Sequence, residues 1–146
     1  RVLKPGSTIG ILGGGQLGRM SAMAARAMGY DVHVLDPDPA CPARAVASRT
    51  ITAPFTDVAA AEALARDCAV VTLDIEQVAT PSIAACEALV PVRPGAAALH
   101  IVQDRVRQKE WLASLGFPLG PFGVARRRDE LDHELALLSQ GRGEAG

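Results

Sequence analysis

The stretch IGILGGGQLGRM, Ile9–Met20, decides how the rest of the chain is read. Its apolar start belongs to a run, Thr8–Leu12, of a length that suits a buried strand. Gly13, Gly14 and Gly15 follow, and Gly18 completes the spacing Gly13-x-Gly15-x-x-Gly18. From Gln16 to Met28 the chain is rich in Ala, Met, Leu and Arg, all good helix formers. Gly29 stands where a helix stops. A strand, a glycine turn and a helix, in that order, let backbone amides and the positive helix end approach an anionic group. The same glycines would also serve a turn that only needs to be tight and closely packed. Spacing alone does not separate a dinucleotide, a sugar phosphate and an empty turn.

Outward from this stretch the pattern repeats. DVHVLD, Asp31–Asp36, alternates and is β-branched, the mark of a second strand. PDPACP is a loop forced by its prolines. SRTITA predicts a third short strand or an extended edge, and Thr56 or Asp57 caps a helix running to about Cys68. AVVTLDI, Ala69–Ile75, is the next buried strand. TPSIAACEAL predicts a helix with Thr80 as N-cap and Pro81 at the first helical position. VPVRP is a fifth strand ending at Pro94. Strands alternating with helices pair in parallel through right-handed crossovers. The fold class is therefore α/β, a Rossmann-like doubly wound parallel sheet.

After Gly95 the pattern changes. Ala96–Gln103 and Asp104–Leu115 read as helices, the second with Asp104 as N-cap and with Gly116 and Pro118 as its stop. PFGVA predicts the start of a strand and RRRDELDHELALLSQ a further helix, while GRGEAG reads as a frayed end. The boundary falls between a first domain, 1–103, and the incomplete opening of a second, 104–146. Some forty residues do not easily bury a core of their own.

Composition excludes several function classes. The net charge is -1, so no global basic field draws the chain to nucleic acid or anionic lipid. No apolar run approaches the roughly 20 residues that span a bilayer, and RVLKPGST is no secretory signal. Cys41, Cys68 and Cys86 are far apart and form no metal spacing with His33, His100 and His133. They read as reduced packing residues of a cytoplasmic protein, with no metal site. No serine, acid and histidine triad is legible, and no residue of this chain is expected to be catalytic.

The binding candidates lie at strand ends. Asp36 closes the second strand, where a dinucleotide-binding domain carries an acid for a ribose hydroxyl. In TLDIEQ, Asp74 and Glu76 stand two apart on an extended segment, so both carboxylates face one side. They suit amine or hydroxyl groups and repel pyrophosphate. Arg105 sits in the first turn of a helix, a poor place for a cation unless it meets an anion or a nearby acid such as Asp104. Arg126–Arg128 read as a solvated charge run, and Trp111 as core.

The segments ILGGGQLGRM, VLDPDPACPA, VVTLDIEQV and VRPGAAALHIVQDRVRQKEWLASLGFPLGPF together resemble the N-terminal part of the 5-(carboxyamino)imidazole ribonucleotide synthase family of ATP-grasp enzymes. The resemblance covers about residues 7–126. It implies a preATP-grasp domain followed by the start of an ATP-grasp domain. It implies purine biosynthesis, with ATP and Mg2+ turning bicarbonate into carboxyphosphate. The carboxyl group then passes to the exocyclic amine of aminoimidazole ribonucleotide. On this resemblance Gln16 and Leu17 contact the ribonucleotide through the helix N-terminus, Asp74 binds the same substrate, and Arg105 reaches ATP; Gly15 in the turn and Glu76 beside Asp74 are expected to line the same substrate site. A homodimer is implied as well.

Two departures are visible. Asp74 stands where the family usually has Glu, and Gln77 replaces the usual histidine. The ATP-grasp lysines, the Mg2+ carboxylates and the residues holding the substrate phosphate lie beyond Gly146 in relatives, so this chain alone is expected to bind ATP weakly and to be inactive. Two other readings stay open: an NAD(P)-binding domain of an oxidoreductase, resting on Gly13, Gly15, Gly18 and Asp36, and an inert dimerisation fragment.

Overall fold

The computed structural model of the chain describes residues 2–140; GRGEAG lies outside them. The chain divides into two compact units, Arg1–Gln103 and Asp104–Gly146.

In the first unit the elements run β1 (Thr8–Leu12), α1 (Gln16–Ala27), β2 (Asp31–Asp36), β3 (Arg49–Thr52), α2 (Val58–Arg66), β4 (Val70–Leu73), α3 (Thr80–Glu87), β5 (Val92–Arg93) and α4 (Ala96–Val102). A 3-10 turn, Pro42–Ala45, lies between β2 and β3. The sheet order is β3-β2-β1-β4-β5, and every ladder is parallel. The chain starts at the centre, winds outward through β2 and β3, then returns to β4 on the other side of β1. The gap between the carboxyl ends of β1 and β4 is thus the topological switch point, where open α/β sheets bind ligands.

Side-chain alternation along the strands builds two layers. Ile11, Val32 and Val34 face α1 and the 3-10 turn, packing with Ala22, Ala25, Cys41 and Ala43. Leu12, Leu35 and Val71 face the other way, into a cluster with Leu64 of α2 and with Ile83 and Cys86 of α3. Helices therefore cover both faces, as the doubly wound expectation requires. All three cysteines are buried and free, and serve as packing residues.

Several boundaries differ from expectation. The strand expected over Ala69–Ile75 ends at Leu73, and residues 74–79 turn away before α3. Thr80 is not the N-cap of α3: Ala79 holds that position without a side-chain hydrogen bond, and Thr80 is already helical. Ala79 is extended and its N–H donates to the Phe55 carbonyl at 3.2 Å, so a long-range backbone bond sets this helix start. Asp57, rather than Thr56, caps α2, accepting from the Ala60 N–H at 2.9 Å.

The second unit contains α5 (Arg105–Ser114) and α6 (Arg128–Gln140). Asp104 caps α5 as expected, accepting from the Arg107 N–H at 2.9 Å, and this hydrogen bond lowers its pKa from the usual value. PFGVA forms no strand. A strand needs a neighbour to satisfy its backbone, and the second unit holds none among the described residues. Trp111 is not core: it is 46% exposed, and no residue of α5 is buried.

Candidate functional site

The glycine turn joins β1 to α1 at the switch point. Gly13 has φ +106, a left-handed conformation that glycine adopts without strain. Its N–H donates to the Leu35 carbonyl at 2.9 Å. The Gly14 N–H donates to Asp36 Oδ2 at 2.7 Å, and the Gly14 carbonyl accepts from the Ala43 N–H at 2.9 Å. The turn is thereby tied to β2 and to the 3-10 turn beyond it. Gly15 is the N-cap of α1, with no side-chain cap and no acid in the first turn. The first intrahelical bond runs from the Arg19 N–H to the Gly15 carbonyl at 2.9 Å. The amides of Gln16, Leu17 and Gly18 stand outside the helical ladder and carry the positive end of the helix dipole.

Asp74 follows β4 directly, and its N–H donates to the Leu12 carbonyl at 2.9 Å, extending the β1–β4 ladder by one bond. This bond brings its side chain onto the glycine turn. A Cβ added at Gly15 or at Gly18 would meet Asp74 Oδ2 at 3.1 Å, and one at Gly13 would meet the Asp74 Cβ at 2.9 Å. The carboxylate fills the space that the absent side chains leave. A half-buried acceptor thus lies beside a helix start that offers donors. That pair suits a ligand with hydroxyl or amine donors and a polar acceptor of its own. It repels a pyrophosphate, whose charge would face Asp74.

The other expected residues fall out differently. Glu76 is exposed in the turn after β4. The side chain that reaches the glycine turn next to Asp74 is Ile75, whose Cγ2 would lie 3.1 Å from a Cβ at Gly13. The period-two rule fails for this acidic pair because β4 ends before it begins. Gln16 and Leu17 are exposed on the first turn of α1. Arg105, in the second unit, donates to Gln108 Oε1 at 2.7 Å. Asp36 is 9% exposed and committed internally, since Oδ2 holds Gly14 and Oδ1 accepts from the Asp38 N–H at 2.8 Å. Each of its oxygens already holds a backbone amide, so the acid is built into the turn itself.

Burial pushes the Cys68 thiol up to about 12 and the Cys86 thiol up to about 11, and raises Cys41 as well. Thiols held protonated are poor nucleophiles. Burial, with the neighbouring Arg49 charge, lowers the His33 pKa. Among the described residues no cluster of histidine, cysteine and acid side chains converges to hold a metal ion. No described helix is long and apolar enough to cross a membrane. A cavity of about 770 Å³ is lined by Lys4, Ser7, Cys68, Val70, Pro91 and Arg93 among others, at the amino ends of the strands. It is remote from the glycine turn, and its position carries no argument for the site.

The ribonucleotide synthetase preATP-grasp domain matches residues 6–103. The chain belongs to this family. An N5-carboxyaminoimidazole ribonucleotide synthase from Brucella melitensis is 43% identical over 97% of the chain and 39% of its own length. Among solved structures, the N5-carboxyaminoimidazole synthetase from Staphylococcus aureus, complexed with ADP, matches with TM-score 0.86 and 38% identity over 92% of the chain and 36% of its own. The Aspergillus clavatus enzyme, in complex with ADP and 5-aminoimidazole ribonucleotide, matches with TM-score 0.78 and 31% identity over 96% of this chain and 37% of its own. The chain therefore spans about two fifths of the relatives it matches.

Proposed function

We propose that this chain is the N-terminal, substrate-binding part of an ATP-dependent ligase that carboxylates aminoimidazole ribonucleotide with bicarbonate in purine biosynthesis. The observation that carries the reading is the Asp74 carboxylate lying against Gly15 and Gly18 at the open end of α1. Asp74 accepts from amine or hydroxyl groups of the ribonucleotide, and the amides of Gln16 and Leu17 donate to it. Gly15 keeps the approach clear of side chains. Glu76 adds negative charge at the rim. Residues 104–146 are the opening of an ATP-grasp domain, in which Arg105 meets the anionic part of ATP. The Mg2+ ligands and the phosphoryl chemistry are assigned to parts of the relatives that this chain does not span. A cytoplasmic homodimer completes the reading.

Parallel thermal-shift titrations with aminoimidazole ribonucleotide, NAD and ATP test it. A ligand that binds only the folded state raises the melting temperature with its occupancy, by about 1.4 kcal/mol of stability at tenfold excess over Kd. The ribonucleotide is expected to raise it and NAD is not. A response to NAD alone would overturn the reading in favour of a dinucleotide domain.

A further inference from the structure

The span from Asp74 to Ala79 is pinned at both ends. Asp74 bonds to Leu12, Val78 is fully buried, and Ala79 bonds to Phe55. Its middle has no backbone partner for the carbonyls of Glu76 and Val78. Both are met by one side chain. Gln103 Nε2 donates to the Glu76 carbonyl at 2.7 Å and to the Val78 carbonyl at 2.9 Å. A primary amide has two N–H donors, and both are used. Its Oε1 accepts from the Thr80 hydroxyl at 3.4 Å, which fixes which end of the amide faces the turn. Gln103 is itself anchored. It ends α4, its N–H donates to the Leu99 carbonyl at 2.9 Å, and Leu99 is 2% exposed within the core.

We propose that Gln103 is a positioning residue for the candidate site: its amide holds the turn after β4 so that Asp74 stays against Gly15 and Gly18. It touches no ligand. It acts through residues 75–78, whose path fixes the direction in which the Asp74 side chain leaves β4. The inference rests on the ribonucleotide reading only for its binding arm. Because Gln103 is solvent-exposed, its removal is expected to cost little global stability while loosening one turn.

The test uses the whole 146-residue chain, labelled with nitrogen-15, as wild type, Gln103→Met and Gln103→Glu. Met keeps the length and loses both donors. Glu sets a carboxylate against two carbonyls at neutral pH and regains one donor when protonated. In Gln103→Met the amide signals of Gln16, Leu17 and Gly18 should shift, and hydrogen exchange at 76–78 should quicken. The melting temperature should stay within a few degrees of wild type. Affinity for aminoimidazole ribonucleotide should fall about three- to tenfold, the size expected when two neutral hydrogen bonds that order a turn are lost. Gln103→Glu should displace the same signals more at neutral pH than in mild acid, a profile that general destabilisation would not produce. Unmoved α1 signals beside a lowered melting temperature would overturn the proposal, and so would displaced signals with unchanged affinity. A wild-type chain that ignores the ribonucleotide would refute the substrate reading, while the amide signals and their pH profile would still decide the role of Gln103.

Discussion

Replacing Gly18 by alanine sets two effects against each other. Gly18 lies in the first turn of α1, where alanine in place of glycine ordinarily stabilises a helix by up to about 1 kcal/mol. Here the added Cβ would stand 2.5 Å from the Gly13 carbonyl oxygen, with Asp74 Oδ2 at 3.1 Å and its Cγ at 3.3 Å. The oxygen is backbone and has little freedom to retreat. Gly13 is held at φ +106, its N–H is bonded to Leu35, and Gly14 beside it is bonded to Asp36. Forcing a methyl group into such a contact costs about 1–3 kcal/mol, and the fixed backbone puts the cost at the upper end. The clash wins, and a net loss of about 2 kcal/mol is expected. For a cooperative unit of this size that lowers the melting temperature by roughly 10 °C. Gly15→Ala is the control. Gly15 has φ -64 and ψ -165, which any residue adopts, and its added Cβ would meet only Asp74 Oδ2, the end of a side chain that can swing aside. That variant should lose less than about 1 kcal/mol, mostly as an N-cap effect, yet bind ribonucleotide poorly because Asp74 is displaced. Circular dichroism melts of both, with calorimetric titration of the ribonucleotide, separate packing from binding. A Gly18→Ala chain as stable as wild type would refute the close approach of α1 to the turn, and with it the geometry of the site.

Asp74→Asn keeps the shape and removes the charge. It should leave the melting temperature nearly unchanged and weaken ribonucleotide binding about tenfold or more, as a charged hydrogen bond becomes a neutral one. Unfolding instead would make Asp74 a structural residue. The thiols of Cys41, Cys68 and Cys86 should react slowly with a thiol-specific disulfide reagent at pH 8 and quickly once the chain is unfolded. With Cys68 raised from 9.0 to about 12 and Cys86 from 9.0 to about 11, folding favours the neutral forms. Their contribution is complete below pH 9 and is lost as pH climbs through the folded values. Stability independent of pH between 9 and 11 would contradict that linkage.

Much of the first unit is legible because its signals are local. Thr8–Leu12 and Asp31–Asp36 announce strands by pattern, Gly29 at φ +83 ends α1, and Asp57 and Asp104 cap helices by a bond to an amide three residues on. What escapes is whatever distant backbone decides. Thr80 has the right side chain for a cap, but the bond from Ala79 to Phe55 starts α3 one residue earlier. PFGVA has strand composition, but its own unit holds no strand to pair with among the described residues. Gln103 gives no sign of its role, because the two carbonyls it holds lie 27 and 25 residues away.

Asp36 shows most clearly why a motif read by spacing does not name its ligand. An acid at the end of the second strand, after a Gly-x-Gly-x-x-Gly turn, is the arrangement that binds a ribose in dinucleotide domains. The spacing is met here, and the acid does turn toward the glycines. It goes further and accepts the Gly14 amide itself, while Ala43 closes over the Gly14 carbonyl. A Cβ at Gly14 would strike Cys41 Sγ at 2.7 Å, so this glycine admits the protein's own loop and not a phosphate. The open end of α1 is left to be faced from β4 instead, and there the chain sets a carboxylate. Two acids at neighbouring strand ends thus take different places: Asp36 is bonded into the turn, and Asp74 lies against Gly15 and Gly18 at the open end of the helix. The charge of the second opposes a pyrophosphate there and favours a ligand that brings hydroxyl or amine donors, which is the chemistry the Asp74→Asn titration probes.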